Sequence, residues 1–230
     1  ILASTIPNCR SYDPCFSYEV SSIIDEGLDD MYVQGNDRFY YLTLMNENYS
    51  HPKRPKSATT ENIIKGAYKY LENKDPSLRI LASGVTLNFA IDAEKELKNI
   101  GISTEIWSIT SFNELYKDGI EVERLNRYEN KKSVSHVESC FSECLPTVAV
   151  SEYVRAYTNQ IRQWVNGDYV TLGTDGFGRS DTRKELRNYF EISKDHIVIN
   201  ALIVSGNKDK AEKYIKDKKI DLNAKAPWLR

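Results

Sequence analysis

The sequence lacks an apolar run of the length needed to span a bilayer, which argues against a membrane-spanning protein. It also lacks a charge excess of either sign, because 31 lysines and arginines stand against 33 aspartates and glutamates. Nucleic-acid-binding proteins usually show a basic excess or stripe, and polybasic membrane anchors need clustered positive charge. The composition therefore predicts neither a nucleic-acid partner nor a membrane partner.

Several motifs of common enzymes are absent as well. There is no GxxxxGK[ST], no GxGxxG, no GxSxG and no HExxH, and the chain has only three histidines. These absences argue against a P-loop protein, a dinucleotide-binding protein, an α/β-hydrolase and a zinc protease, respectively.

The four cysteines form no CxxC pair. His136, Cys140 and Cys144 follow one another at four-residue spacing, so one helical face could present three zinc ligands. Structural zinc sites, however, normally take four ligands from two separate elements. We therefore expect free thiols in a reducing cytosol, and no metal site.

The N-terminus, ILASTIPNCR, has neither an initiator methionine nor a basic segment followed by an apolar one. It does not resemble a signal peptide, which is consistent with a cytoplasmic location. The apolar start at Ile1 leads us to expect a chain cut from a longer polypeptide.

The first 51 residues predict a strand–helix–strand unit. A strand is expected at Ala3–Ile6, and a helix at Pro14–Met31 with Asp13 as its N-cap. The stretch Arg38–Met45 is aromatic and nearly continuously apolar, which is typical of a strand covered on both faces. A right-handed βαβ unit follows from this order.

A proline-rich connection leads to a second, longer alternation of elements. A short helix from Thr60 to Gly66 and a brief edge strand near Ala67–Leu71 are expected inside the connection. The stretch Ile197–Leu202 fits either a strand or the start of a helix. The other expected strands are Arg79–Ser83, Ser103–Ile109, Thr147–Val150 and Tyr169–Leu172, and the other helices are Thr86–Asn99, a short piece from Ser111, Glu152–Val165, Arg183–Tyr189 and Lys208–Lys218. The predicted fold class is α/β with a mostly parallel sheet.

A polar tetrapeptide, Asn46-Glu47-Asn48-Tyr49, directly follows the strand that ends at Met45. In open parallel sheets, ligands bind outside the carboxyl ends of the strands, so these side chains could line a polar pocket. They could equally form a hydrogen-bonded start of a loop. Glu47 has no identifiable partner that would support it as a general base.

A second motif, LGTDGFGRSDTR, follows the strand that ends at Leu172. Its Thr174-Asp175-Gly176 is similar to the Gly-Asp-Gly that often holds thiamine diphosphate, but the paired asparagine is missing because Asn200 is followed by alanine. A tight βα turn with Ser180-Asp181-Thr182 as a helix cap is the simpler interpretation, and a subunit or domain interface is the alternative. The candidate structural or interface residues are Asp175, Gly176, Gly178, Arg179, Ser180, Asp181 and Arg183.

Four segments together carry a family resemblance: TIPNCRSYDP, YYLTLMNENY, ITSFNELYKDG and LGTDGFGRSDTRKELRNYFE. They resemble the C-terminal portion of the homodimeric bacterial pyruvate dehydrogenases, which are transketolase-like thiamine enzymes. The resemblance runs from Thr5 to about Asn200. It implies the end of a pyrimidine-binding α/β domain at residues 1–51, an interdomain crossover at 52–75 and a transketolase C-terminal-type domain at 76–230.

The resemblance also implies a function. Enzymes of this family decarboxylate pyruvate with thiamine diphosphate and Mg²⁺, and pass the acetyl unit to lipoyl groups of the dihydrolipoamide acetyltransferase core. The family's cofactor motif, activating glutamate and principal histidines lie upstream of Ile1. We therefore expect no catalytic residue, no bound cofactor and no activity in this chain alone, and a homodimer only for the longer enzyme.

The same resemblance suggests substrate-channel residues, namely Asn46, Glu47, Asn48, Tyr49 and His51. In sugar-phosphate transketolases the similar loop carries a phosphate-binding arginine. Asn46-Glu47 stands in that region here, which fits an acid substrate without a phosphate.

Two alternatives stay open at this point. The chain could belong to another transketolase-like enzyme that acts on a different 2-oxo acid, or it could be a non-catalytic assembly or dimerisation domain. The pairing of NENY with TDGFGRSDTR favours pyruvate dehydrogenase over both.

Overall fold

The computed structural model describes residues 1–129, 132–221 and 223–230. Within them the chain forms a small βαβ unit followed by a larger sandwich of helices around a five-stranded sheet. The strands are β1 (Cys9–Tyr12), β2 (Phe39–Leu42), β3 (Ala67–Glu72), β4 (Leu78–Ala82), β5 (Thr104–Ile109), β6 (Thr147–Val150) and β7 (Tyr169–Leu172). The helices are α1 (Ser17–Leu28), α2 (Thr60–Lys65), α3 (Thr86–Asn99), α4 (Phe112–Glu129), α5 (His136–Cys140), α6 (Arg155–Thr158), α7 (Arg183–Tyr189), α8 (Lys194–Val204) and α9 (Lys208–Lys218).

The βαβ unit is confirmed, because β1 and β2 pair in parallel with Cys9 opposite Phe39. The predicted first strand at Ala3–Ile6 is wrong, since a 3₁₀ helix occupies Leu2–Thr5. The hydroxyls of Ser4 and Thr5 donate to carbonyls three residues back, and these local bonds compete with an extended strand.

Helix α1 begins later than the sequence suggests. Its N-cap is Phe16 rather than Asp13, and the Glu19 carboxylate accepts a hydrogen bond from the Phe16 N–H at 2.8 Å. The Asp13 carboxylate instead accepts from the hydroxyls of Thr43 and Ser83. Asp13, whose side chain is well suited to cap a helix, thus joins distant parts of the chain instead.

The prediction that β2 is covered on both faces is also wrong. Phe39 and Tyr41 are 43% and 53% exposed, whereas Tyr40 turns toward α1 and stacks on Tyr12. Helix α1 approaches closely at Gly27, where a Cβ would lie 3.3 Å from the Tyr40 ring. One face of β2 therefore packs on the helix and the other faces outward.

The five-stranded sheet has the order β3-β5-β4-β6-β7, and only β3 runs antiparallel to its neighbour. This confirms the predicted mostly parallel α/β architecture. Ile80 in the central strand pairs with Ile106 and Val148, and all three are fully buried. Such continuous apolar runs are expected when helices cover both faces of a parallel sheet.

Two of the helical predictions change in the structure. The predicted helix Glu152–Val165 divides into α6 and a 3₁₀ turn at Asn159–Trp164, and Val154 is 39% exposed. The short piece expected after Ser111 is the 18-residue helix α4. The stretch Ile197–Leu202, left open between strand and helix, lies within α8.

Buried polar groups join the βαβ unit to the large sheet. Glu19 of α1 accepts hydrogen bonds from the Tyr68 hydroxyl of β3 and the Ser108 hydroxyl of β5. The main chain adds a bond from the Asp13 N–H to the Thr110 carbonyl at 2.8 Å. The two units consequently share one buried interface. Across the described ranges, none of the helices combines the length and apolarity that crossing a membrane requires.

Candidate functional site

The NENY loop, residues 46–49, is tied to helix α7 by a two-point ion pair. Arg187 donates to both carboxylate oxygens of Glu47, at 2.6 and 3.2 Å. Its Nε donates to Glu152 at 3.0 Å, and its guanidinium lies 4.6 Å from the centre of the Phe89 ring. Arg187 thereby fixes the loop after β2 against the motif that follows β7.

The pairing with Arg187 determines the protonation state of Glu47. The hydrogen bonds from Arg187 hold the pKa of the Glu47 carboxyl below its ordinary value, against a smaller opposing effect of burial. An ionised carboxylate with a lowered pKa is a weak proton acceptor near neutral pH. The geometry gives Glu47 a positioning contact rather than the setting of a general base.

Tyr49 and His51 anchor the other end of the loop. The Tyr49 hydroxyl donates to the Cys15 carbonyl at 2.5 Å, and His51 Nδ1 accepts from the Ser17 N–H at 3.0 Å. The two rings stack with centroids 5.0 Å apart. Asn46 and Asn48 are exposed. The role of these five residues in a substrate channel stays a prediction.

Asp175 in the second motif forms an ion pair with an arginine. Its carboxylate accepts from Arg155 Nε at 2.8 Å and from the Arg155 N–H at 3.3 Å. Gly176 has φ +111°, and a Cβ there would lie 2.9 Å from the Pro227 carbonyl oxygen. Asp175 and its neighbours therefore hold the turn and the C-terminal segment together, and do not fit a thiamine diphosphate or Mg²⁺ site.

The predicted helix cap at the end of this motif is present. Thr182 is the N-cap of α7, and its hydroxyl accepts from the Glu185 N–H at 3.3 Å. Asp181 accepts from the Thr182 N–H at 2.6 Å. Ser180 and Gly178 are exposed, and nothing lies within 4 Å of a Cβ built on Gly178.

The second motif and Met45, the residue directly before the NENY loop, line one open cavity with a volume of about 350 Å³. Met45, three residues beyond the end of β2, contributes to the lining together with Arg179, Arg183 and Arg187. Arg183 also donates to the Asn46 carbonyl at 2.5 Å. Two segments more than 130 residues apart in sequence are therefore brought together, which neither motif indicates alone.

Sequence reasoning missed the tertiary contacts of Asp13. This residue lies at the carboxyl end of β1, and its hydroxyl partners, Thr43 and Ser83, follow β2 and β4; both contacts measure 2.8 Å. Gly84 must be glycine here, because it has φ +53° and a Cβ would lie 2.7 Å from the Asp13 carboxylate. The position of Asp13 directly after a strand could have indicated these contacts, but the sequence was interpreted as placing Asp13 at a helix N-cap.

A pH-dependent stability follows from Asp13. Burial raises the pKa of its carboxyl to about 6, so the ionised form is disfavoured in the folded chain. A raised pKa contributes stability at low pH that is lost as the pH rises through the folded-state value. The rise of about two pKa units corresponds to about 3 kcal/mol at about 1.4 kcal/mol per unit, and the partial exposure of Asp13 reduces this to about 2 kcal/mol.

Urea unfolding of the wild type and of Asp13→Asn between pH 4 and 7 measures this contribution. The stability difference, wild type minus variant, should fall by about 2 kcal/mol across that interval. A difference that stays constant with pH would show that Asp13 does not titrate there. Asp25→Asn, an exposed change on α1, is the control.

The five-stranded sheet with its antiparallel edge strand defines the class of the larger unit. Residues 66–193 match the family model described as the transketolase-like TK C-terminal domain, and the chain belongs to this family. Residues 1–52 match the model of the pyruvate dehydrogenase E1 component middle domain. The predicted domain boundaries at residues 51 and 76 stay a prediction.

Curated relatives identify the particular protein that the chain is similar to. It is 48% identical over 210 residues to the pyruvate dehydrogenase E1 component of Pseudomonas aeruginosa, covering 88% of this chain and 24% of the relative. It is 40% identical over 240 residues to that of Cupriavidus necator, covering 99% of this chain and 27% of the relative. The resemblance read from the sequence is confirmed, and the chain spans about a quarter of these relatives' length.

Solved structures support the fold independently. The transketolase from Leishmania mexicana superposes with a TM-score of 0.66 at 19% identity, covering 98% of this chain and 28% of that one. At this level of identity the likeness shows the fold alone.

Proposed function

We propose that the chain is part of a pyruvate dehydrogenase that uses thiamine diphosphate and Mg²⁺ to decarboxylate pyruvate. The enzyme then transfers the acetyl unit to lipoyl groups of an acetyltransferase core. The observation that carries the proposal is the 48% identity to a pyruvate dehydrogenase E1 component over 210 residues. The two matched family models, at residues 1–52 and 66–193, occur in one chain and support the same assignment.

Within such an enzyme, the role of this chain is to position the NENY loop. The NENY loop presents the exposed Asn46 and Asn48 a few residues beyond β2, while Arg187 holds Glu47 in place. An ionised Glu47 repels a doubly charged phosphate group more strongly than a singly charged carboxylate, which favours an unphosphorylated acid as the substrate. The loop would form part of the wall of a substrate channel.

The cofactor belongs to other parts of the enzyme. In the described ranges, no group of three or more His, Cys, Asp or Glu side chains is arranged to hold a metal ion, and Asp175 is paired with Arg155. We propose that the working enzyme is a cytoplasmic homodimer that binds its cofactor through segments outside this chain.

Release of CO₂ tests this function. We expect no CO₂ from pyruvate when the 230-residue chain is supplied with thiamine diphosphate and Mg²⁺. A version extended upstream to the length of its relatives should release CO₂ and lose that activity when the thiamine diphosphate is omitted.

Three results would contradict the proposal. Decarboxylation by the 230-residue chain alone would mean that it contains the catalytic groups. An extended chain that prefers a different 2-oxo acid would indicate another transketolase-like enzyme. An extended chain that is folded, binds thiamine diphosphate and has no activity on any 2-oxo acid would indicate an assembly domain.

A further inference from the structure

The arginines beside the cavity differ in how they are neutralised. Arg187 is paired with both Glu47 and Glu152 at 3.0 Å or less. Arg183 comes no nearer than 4.0 Å to Glu47. Among the residues that the structure describes, Arg179 has no carboxylate side chain within 4.0 Å, and it donates instead to the Tyr189 hydroxyl and to the main-chain oxygen of Arg230.

The two carboxylates beside the cavity are both engaged by Arg187. Glu47 and Glu152 each lie within 3.0 Å of it, whereas Glu47 stands 4.0 Å from Arg183, so Arg183 is less fully neutralised than Arg187. A monoanion suits this cavity wall better than a phosphate dianion, because the carboxylate of Glu152 in the wall repels the higher charge more strongly. Guanidinium groups bind carboxylates through parallel N–H donors.

The two arginines are already oriented for this contact. Arg183 is fixed through the Asn46 carbonyl at 2.5 Å. The Arg179 guanidinium lies 5.5 Å from the centre of the Tyr189 ring and 2.7 Å from the main-chain oxygen of Arg230. Side chains held in this way lose less conformational entropy when they bind a ligand.

Four apolar side chains line the cavity beside the arginines. They are Met45, Leu186, Phe190 and Ile192, and the remaining lining includes Glu152 and Thr174. A volume of about 350 Å³ accommodates a small molecule, and small-molecule sites typically combine an apolar lining with a few placed polar groups.

From these observations we propose that the cavity between Met45 and α7 binds a small aliphatic monocarboxylate. Its carboxylate lies against Arg183 and Arg179, and its chain lies over Met45 and Phe190. The inference concerns binding by this chain and does not depend on the proposed decarboxylation.

Titration of the 230-residue chain with acetate, butyrate and inorganic phosphate at low ionic strength tests the site. Amide chemical shifts of Thr174 and Gly178 report occupancy. We expect butyrate to bind at least about fivefold more tightly than acetate, since each buried methylene adds favourable transfer free energy. Phosphate should bind more weakly than butyrate.

Variants separate the site from general attraction of anions. Arg183→Gln and Arg179→Gln should each raise the dissociation constant for butyrate about tenfold, because each removes a charge-assisted contact. Lys184→Gln removes the same charge from an exposed position of α7 outside the cavity and should leave butyrate binding unchanged. Unchanged melting temperatures would show that the arginine variants are folded.

Four outcomes would overturn the proposal. They are no saturable butyrate binding, equal affinities for acetate and butyrate, phosphate binding at least as tight as butyrate, or an equal loss in Lys184→Gln and Arg183→Gln. The first would point to an acidic protein partner rather than a small molecule, and the last to nonspecific attraction.

Discussion

Replacing Glu19 by alanine should lower the free energy of unfolding by at least about 4 kcal/mol. Glu19 is fully buried and accepts four hydrogen bonds, from the N–H groups of Cys15 and Phe16 and from the hydroxyls of Tyr68 and Ser108. The substitution leaves the N–H groups of Cys15 and Phe16 and the Ser108 hydroxyl buried without an acceptor, at roughly 1–3 kcal/mol each. Urea denaturation of the 230-residue chain measures the loss.

A second variant distinguishes lost hydrogen bonds from lost volume. Glu19→Gln retains one acceptor oxygen and the size of the side chain, so it should lose about half as much as Glu19→Ala. Asp25→Ala changes an exposed carboxylate on the same helix and should stay within about 0.5 kcal/mol of the wild type. A similar effect of Glu19→Ala and Asp25→Ala would contradict the role of Glu19.

Double-mutant cycles test whether Glu19 couples the βαβ unit to the large sheet. Glu19→Ala combined with Ser108→Ala should cost less than the sum of the single variants, because both remove the 2.7 Å contact between α1 and β5. Additive losses would mean that the two units are held together elsewhere.

Elements governed by local chemistry could be predicted from the sequence. Helix α3 occupies the predicted Thr86–Asn99, and Gly66 ends α2 in the left-handed conformation that favours glycine. The errors arise where tertiary contacts dominate. Asp13 was predicted as a helix cap, but the hydroxyls of Thr43 and Ser83 bind it from elsewhere in the chain.

The candidate site was only partly predictable for the same reason. The NENY loop and LGTDGFGRSDTR could be identified separately, since each follows a strand and both carry the family resemblance. Their convergence depends on Arg187 reaching Glu47 across 140 positions of sequence. No local pattern encodes a contact of that kind, and Glu47 therefore lacked a partner in the sequence.

Replacing Arg187 by alanine should cost about 3 kcal/mol at pH 7, because it leaves Glu47 and Glu152 without their shared cation. Arg187 is only 11% exposed and Glu47 28%, so water solvates the unpaired Glu47 carboxylate only in part. Arg187 lowers the pKa of Glu47, and the stability that this provides is present above the unfolded-state pKa and lost as the pH falls through the folded-state value. The difference between wild type and variant should therefore shrink on acidification.

Two comparisons make this prediction specific, with urea unfolding at pH 7 and at acidic pH as the measurement. Lys184→Ala removes a positive charge from the exposed side of α7 and should change stability by less than about 0.5 kcal/mol. Adding Glu47→Gln to Arg187→Ala should restore part of the lost stability, since it removes one of the two unpaired charges. If the double variant is no more stable than Arg187→Ala, the ion pair does not hold the NENY loop against α7.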